Sequence, residues 1–260
     1  MQVDLAGKVA LVTGSSYGIS KAIALKFAEN GSDIVVNARH PEAGMEVVQQ
    51  IKGMGRQAIF EPADVNKYPE VAQMANNVIQ KLGHIDILVA SGGRGGEATD
   101  PTMMQFFRET DPETYVYWAK SQWLNRLYCV KAVLDHMIDK QAGKIIMIGA
   151  DAGRWPTPGE SMVGGSAAAL VMATKVLAAE FAQWQIRINT LCLTVARDTP
   201  TISLVLEGPI GHIFKKALDR QPFPTTSADV AEAALFLASK GADQITGQIL
   251  SVNGGLCFPG

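Results

Sequence analysis

Residue types that build metal sites and disulfide frameworks are scarce in this chain. Its 260 residues include 3 cysteines and 4 histidines. Cys129, Cys192 and Cys257 lie far apart, with no CxxC pair and no histidine cluster beside them. Zinc sites and disulfide-rich domains need closely spaced Cys and His residues. The spacing therefore predicts no metal site and three reduced thiols, which are typical of a cytoplasmic protein.

Charged residues are also few, and neither sign dominates. They make up 18% of the chain, and the net charge is −2 with a pI near 6.1. This balance lacks the basic patch of proteins that bind nucleic acid or anionic membranes, so neither partner is predicted. The N-terminus shows no signal-peptide pattern. Lys175 and Glu180 interrupt the longest apolar stretch, residues 163–182, which argues against a membrane span.

Hydrophobic residues, by contrast, make up 47% of the chain and follow an alternating pattern. Short, almost wholly apolar runs are typical of parallel strands covered on both faces. They alternate with helical periods, which predicts an α/β fold: a doubly wound parallel sheet in a Rossmann-type three-layer sandwich, forming one domain over residues 1–260. The predicted strands are residues 9–13, 33–37, 58–61, 85–90, 144–148, 187–192 and 248–252. The predicted helices are residues 20–30, 42–54, 68–82, 114–140, 162–184 and 227–239.

A glycine-containing turn follows the first predicted strand and opens the first helix. Such a turn lets the backbone approach a pyrophosphate, whose charge then lies at a helix N-terminus. Taken alone, the glycines fit an ordinary tight turn equally well. After the second strand no acid stands ready for a ribose hydroxyl. Arg39 could instead face a 2′-phosphate and favour NADP, or it could be a solvated surface residue.

Several segments in order resemble the short-chain dehydrogenase/reductase family. Residues 13–20 resemble its TGxxxGxG motif, with Ser20 in place of the third glycine, and residues 186–189 and 247–255 resemble its last two strands. Residues 90–93 stand where the family carries NNAG, and only Gly93 matches. The resemblance implies NAD or NADP contacts at the following positions: Gly14, Ser16, Gly18, Ile19, Arg39, Asp64, Val65 and Gly93.

The family's catalytic Asn, Ser, Tyr and Lys are all missing. The resemblance places Gln122, Ala150, Val163 and Ala167 at those positions. Asn125 is a lesser candidate for the asparagine, because matching it would need a three-residue gap inside a helix. No tyrosine follows residue 128, so none can take the role of the acid/base. We therefore predict no catalytic residue in this chain, and weak or absent NAD(P) binding.

Two segments near the expected cleft are candidates for contacts with other molecules. In the loop after the fifth strand, Arg154 could bind an anion and Trp155 could stack on a ring, or both could be ordinary loop residues. The insertion at residues 94–111 contains Met103, Met104 and two phenylalanines. It could contact a partner or a substrate, or be buried as core.

Three functions follow from a family fold without the family's chemistry. The first is a non-catalytic subunit of a heteromeric NAD(P)-dependent dehydrogenase for a secondary alcohol, such as a 3-hydroxyacyl-CoA-type substrate. The family includes a heteromeric CoA-thioester alcohol dehydrogenase of benzylsuccinate β-oxidation in toluene degradation, whose silent subunit this chain resembles. An intact sister chain would then be its partner, in a hetero-oligomer such as a tetramer. The alternatives are altered chemistry (a lyase, a hydratase or an atypical reductase) and a nucleotide-sensing protein.

Overall fold

The computed structural model describes residues 3–92 and 104–260. Seven strands form one sheet in the order β3-β2-β1-β4-β5-β6-β7, and every neighbouring pair is parallel. The predicted doubly wound α/β fold is confirmed. The strands are β1 (Val9–Val12), β2 (Asp33–Ala38), β3 (Ala58–Pro62), β4 (Ile87–Ala90), β5 (Gly143–Ala150), β6 (Ile186–Leu193) and β7 (Ile249–Ser251).

Helices cover both faces of the sheet, which explains why its strands are apolar throughout. One hydrophobic core joins the sheet to helices α1 (Gly18–Glu29), α2 (Pro41–Gly53) and α9 (Ser227–Ala238). The other core joins it to α3 (Tyr68–Leu82), α5 (Asn125–Lys140) and α6 (Ser161–Phe181). Phe27 on α1 and Phe181 on α6 are fully buried at the two sides.

The helix predicted over residues 114–140 is interrupted. It consists of α4 (Tyr115–Ala119), a π-helical turn over Lys120–Leu124, and α5. A π turn adds one residue to the helical repeat and so changes which side chains face a given direction. The sequence pattern gave no sign of it, because the apolar spacing on either side is that of an ordinary helix.

Two further helices were not predicted: α7 (Pro200–Glu207) and α8 (Gly211–Arg220). They follow β6 and pack on each other through a small apolar cluster that includes Val195, Ile210 and Phe214. This cluster is separate from the two cores on the sheet, and it places α7 and α8 beside the carboxyl ends of the strands.

Within the described residues, the segment Ser161–Trp184 is the one helical stretch whose length and composition would allow it to cross a membrane. Its buried side, with Leu170, Thr174, Ala178 and Phe181, packs against the sheet. A helix that flanks a parallel sheet passes the same test of composition, so the finding is weak evidence for a membrane span.

Candidate functional site

A cavity of about 700 Å³ lies at the carboxyl ends of the strands. Strand order reverses between β1 and β4, and ligands of doubly wound sheets bind at this point. We call the part lined by residues 14, 16–20, 37–40, 42–43 and 63–66 the nucleotide end. We call the part lined by Gln122, Arg126, Ala150, Glu160, Val163 and Ala167 the catalytic end.

At the nucleotide end, Gly14 has a backbone that other residues rarely adopt, with φ +62°. A Cβ atom on it would lie 2.7 Å from the Cα of Gly92, so the two loops meet backbone to backbone. The Thr13 hydroxyl fixes the same contact, accepting from the Ser91 amide at 2.9 Å and donating to the Ser91 carbonyl at 2.7 Å. The predicted glycine turn is thus also a packing contact between β1 and β4.

The side chain of Asn37 links the segments of the nucleotide end through hydrogen bonds. Its side-chain oxygen accepts from the Gly14 amide at 3.1 Å, and its side-chain nitrogen donates to the carbonyls of Glu61 and Ala63 at 3.0 and 3.2 Å. One buried amide near the end of β2 therefore connects the loop after β1 to the end of β3 and to the residue that follows it. This role was not predicted, because the sequence shows only an asparagine at the end of an apolar strand.

The N-terminus of α1 faces the cavity through Gly18, Ile19 and Ser20. The first turn of α1 holds no acidic side chain, and no side chain caps it, so its positive end suits a phosphate group. Ser20, at the family's third glycine, is accommodated: it is buried, and its hydroxyl donates to the Ser91 hydroxyl at 2.8 Å.

Most of the predicted nucleotide contacts line this end of the cavity. They are Gly14, Ser16, Gly18, Ile19, Arg39, Asp64 and Val65. Arg39 is exposed at the rim of the cavity. Gly93 lies outside the described residues.

The four positions predicted to replace the catalytic residues meet at the catalytic end. Gln122 comes from the π turn, Ala150 from the end of β5, and Val163 and Ala167 from α6. Val163 packs against Trp118, which adds to the apolar character of this wall. None of these four side chains has a group that transfers protons at neutral pH.

Asn125 is not among the described residues that line the cavity. Its side-chain nitrogen donates to the carbonyls of Gly92 and Ser121 at 3.1 and 3.0 Å, and its oxygen accepts from Arg126 at 2.7 Å. Asn125 thus ties the start of α5 to the loop after β4, and Gln122 takes the cavity-facing position.

Two charged residues of the catalytic end were missed by the sequence reasoning. Arg126 and Glu160 are each only 7% exposed, and both line the cavity. A usable signal existed for Glu160, since residues 160, 163 and 167 share one helical face. Arg126 follows Gln122 by four residues. In a continuous helix the two residues would share one face, so the position of Arg126 at the cavity was predictable only on the assumption that the helix is unbroken.

The interpretation of Arg154 and Trp155 as pocket residues needs correction, because neither is among the described lining residues. The guanidinium of Arg154 is drawn to the far side of its loop. It donates to the Ser251 hydroxyl at 2.7 Å and lies 3.5 Å from the buried carboxylate of Asp151. Trp155 is 46% exposed. The buried acid that holds Arg154 could not be recognised from sequence.

The insertion is described only from Met104 onward, so Met103 lies outside the described residues. Met104 lines the cavity and packs near Val163 and Phe214. Phe106 and Phe107 are exposed, at 43% and 66%. The described part of the insertion thus places Met104 at the ligand-binding cavity and leaves the two phenylalanines on the surface.

The thiols and the possible metal ligands add no chemistry to the cavity. Burial raises the pKa of Cys129 and of Cys192 to about 12, and burial also raises the pKa of Cys257. These thiols stay protonated at neutral pH and are poor nucleophiles. Over residues 3–92 and 104–260, no group of three or more His, Cys, Asp or Glu side chains could hold a metal ion.

Comparison with known proteins agrees with this architecture. Residues 8–205 match the family model for short chain dehydrogenases. The chain belongs to the short-chain dehydrogenase/reductase family. The FabG 3-oxoacyl-[acyl-carrier-protein] reductase of Chlamydia pneumoniae is 30% identical over 258 residues, covering 99% of this chain and 100% of its own. The family and the relatives that this chain matches are oxidoreductases.

Hydroxysteroid dehydrogenases are similar in both sequence and structure. The 7α-hydroxysteroid dehydrogenase of Escherichia coli K12 is 30% identical over 254 residues, which cover 96% of this chain and 94% of the enzyme. A 7α-hydroxysteroid dehydrogenase solved with NADH and 7-oxo glycochenodeoxycholic acid superposes with a TM-score of 0.85. It is 27% identical, and the match covers 98% of this chain and 96% of that one.

The residues present fit one half of a nicotinamide dinucleotide better than the other. The Gly14 turn, the α1 N-terminus and the Asp64–Val65 segment fit an adenosine diphosphate group. At the catalytic end, Val163 and Ala167 offer no hydrogen bond to a nicotinamide ribose.

Proposed function

We propose that this chain is a non-catalytic subunit of a heteromeric NAD(P)-dependent dehydrogenase acting on a secondary alcohol. One observation carries the proposal: all four positions of the family's catalytic residues meet at the cavity, and none of their side chains can act as the acid/base. Over the described residues, the sheet, the glycine turn and the cavity are nevertheless present. A chain built in this way is suited to assembly and ligand binding rather than to hydride transfer.

Bound NAD(P) would supply hydride transfer, but the proton transfer that must accompany it has no donor among the catalytic positions of this chain. Gly14, Ser16 and Ile19 would surround the pyrophosphate, and Asp64 and Val65 the adenine. Ala150 and Val163 would leave a substrate oxygen without the hydroxyl donors that the family uses. The proposal therefore assigns chemistry to the sister chain and predicts weak or absent nucleotide binding here.

An apolar stripe on α6 supports the assembly part of the proposal. Its exposed face carries Gly165, Ala168, Met172, Val176 and Ala179, at spacings that keep them on one side of the helix. Met172 and Val176 are 60% and 48% exposed. Small and apolar residues let a second helix approach closely. Phe181, at the end of α6, is buried in the core and takes no part in this stripe.

The partner of this stripe would be an intact sister dehydrogenase, in a hetero-oligomer such as a tetramer. A finer proposal is that the chain matches the silent subunit of the CoA-thioester alcohol dehydrogenase of benzylsuccinate β-oxidation. In that case the complex would oxidise a 3-hydroxyacyl-CoA-type alcohol. The support for this step is the family resemblance and the loss of catalytic residues.

Affinity purification of the chain from its native host tests the proposal. We expect a second short-chain dehydrogenase, with its catalytic residues intact, in roughly equal amount. Met172→Arg should release that partner, since it places a charge in a dry contact. Gln49→Arg, on the exposed side of α2, is the matched control and should not. A monomer by light scattering, both alone and with the candidate sister chain, would contradict the proposal.

The buried charges Arg126 and Glu160 favour altered chemistry as a second candidate function. A carboxylate and a guanidinium in one cavity can move a proton and stabilise a developing negative charge. Under this alternative the isolated chain turns over a substrate without consuming NAD(P), and Glu160→Gln abolishes the turnover. Under the subunit proposal Glu160→Gln leaves the activity of the assembled complex unchanged.

A further inference from the structure

A buried carboxylate behind the cavity wall joins three separate parts of the chain. Asp151, directly after β5, is 1% exposed. One of its oxygens accepts from the Ser251 hydroxyl on β7 at 2.5 Å. The other accepts from the Thr194 hydroxyl after β6 at 3.1 Å and from the Asn253 side-chain nitrogen at 3.0 Å. Arg154 is its ion-pair partner at 3.5 Å. These donors offset the cost of burying the carboxylate and fix its position.

The C-terminal segment, residues 253–260, is attached to this carboxylate by two side chains. The Asn253 nitrogen that reaches the carboxylate also donates to the Cys257 carbonyl at 3.0 Å. The guanidinium of Arg154 donates to the Pro259 carbonyl at 3.5 Å. Asn253 and Arg154 therefore extend the attachment to the last residues of the chain.

Thr194 is the point at which this network meets the cavity. It lines the cavity within the loop of residues 193–196, all of which are lining residues. Its hydroxyl oxygen donates its hydrogen to Asp151 and lies 3.9 Å from the sulfur of Cys257. Hydrogen bonds that share a buried acceptor support one another, because each one fixes the acceptor for the rest. A displacement of the C-terminal segment would therefore reach the cavity wall through two contacts.

We propose that residues 253–260 act as a strap that holds the cavity wall at residues 193–196 in place, with Asp151 as the positioning residue between them. The outer side of the strap carries Phe258, which is 83% exposed, so another molecule can contact the strap from outside. By linkage, a contact that detaches the strap loosens the wall, and a ligand that packs on the wall favours the attached strap. The inference holds whether the chain is a subunit, an enzyme or a nucleotide sensor.

Asn253→Ala tests the inference on the full chain, because it cuts the link from Asp151 to the strap and leaves the Thr194 hydroxyl in place. We expect iodoacetamide to label Cys257 at least ~10-fold faster than in the unmodified chain. We also expect the amides of residues 193–196 to exchange with deuterium at least ~10-fold faster, since local opening has fewer hydrogen bonds to break. Mass spectrometry measures both rates.

Two controls separate a local release from a general loss of stability. The amides of β1 report on the sheet as a whole, and their exchange should rise much less than that of residues 193–196. Asn76→Ala, the same change at an exposed position of α3, should alter none of these rates.

Three results would overturn the inference. One is faster labelling of Cys257 with unchanged exchange at residues 193–196, because the strap would then not hold the wall. Another is exchange at residues 193–196 that rises no more than that of β1. The third is unchanged labelling of Cys257, because Asn253 would then not attach the strap. If Asn253→Ala fails to fold, a chain that ends at Leu256 is measured by the same exchange experiment, with the same expectation for residues 193–196.

Discussion

The two ends of the cavity differ in which atoms build them. The nucleotide end depends on backbone: the close contact of Gly14 and Gly92, the start of α1, and the loops joined by Asn37. The catalytic end depends on side chains, and our proposal assigns Gln122, Ala150, Val163 and Ala167 to the family's catalytic positions. Under this proposal, the features made by backbone persist, whereas those made by the ends of side chains do not.

This difference limits what a retained motif proves. Gly14 is needed for packing against Gly92 whether or not a nucleotide binds, so its presence supports the fold more directly than it supports cofactor binding. An alanine or valine at a catalytic position costs the fold little, because it fills a wall that is already apolar. The retained glycine turn therefore says less about function than the residues at the catalytic positions do.

The largest effect should come from Gly14→Val. A branched side chain at φ +62° is strained, and its Cβ would meet the Gly92 backbone, so we expect a loss of at least about 3 kcal/mol in unfolding free energy. Chemical denaturation measures it. Gly53→Ala, where a Cβ meets nothing within 4 Å, is the control and should be neutral or stabilising by up to about 1 kcal/mol. A stable Gly14→Val protein would show that this turn is not required for packing.

Hydride transfer by the isolated chain should be the next largest difference. Loss of a positioned acid/base alone lowers rates by ~10²–10⁴, and under our proposal the serine, lysine and asparagine are missing as well. Absorbance of NAD(P)H with a panel of secondary alcohols and ketones measures the rate, with the Escherichia coli 7α-hydroxysteroid dehydrogenase assayed alongside as a positive control. Turnover approaching ~1 per second would refute the comparison of the two ends.

The affinity for a nucleotide should depend mainly on contacts at the nucleotide end and very little on contacts at the catalytic end. NAD should bind more weakly than ~1 µM, and ADP-ribose should bind within ~10-fold of NAD, since the missing ribose contacts are each worth roughly 0.5–1.5 kcal/mol. Calorimetry gives both constants. A preference of ~100-fold for NAD over ADP-ribose would mean that the catalytic end still binds the nicotinamide half.

Arg39, at the rim of the nucleotide end, allows a test of the choice between NADP and NAD. If it faces a 2′-phosphate, Arg39→Gln should weaken NADP by about tenfold and leave NAD unchanged. If it is a solvated surface residue, the variant should bind both nucleotides as the unmodified chain does. Calorimetry on the two nucleotides side by side separates these roles.

The smallest expected signal is that of the three thiols. Because burial raises the pKa of Cys129 and Cys192 to about 12 and also raises that of Cys257, thiolate is scarce at neutral pH in the native protein. Iodoacetamide labelling, read by mass spectrometry, should be slow for all three until denaturant is added. Rapid labelling of native Cys192 would show that the β6 end of the cavity opens to solvent.

The sequence by itself determined the sheet and most of its helices, and the proposal that the catalytic residues are lost also comes from the sequence. Apolar runs identify strands covered on both faces, and the absence of tyrosine beyond residue 128 needs no coordinates to interpret. Local patterns of this kind depend on neighbours in the chain, so they can be read from one sequence.

Only the tertiary structure decided what faces the cavity. The π turn brings Gln122 to the lining while Asn125 bonds to Gly92, and Asp151 draws Arg154 away from the site it was predicted to line. Arg126 and Glu160 come together in one cavity although 34 positions separate them in the chain (160 − 126). Such placements depend on contacts between distant segments and on a one-residue change in helical repeat, and neither leaves a periodic signal in the sequence.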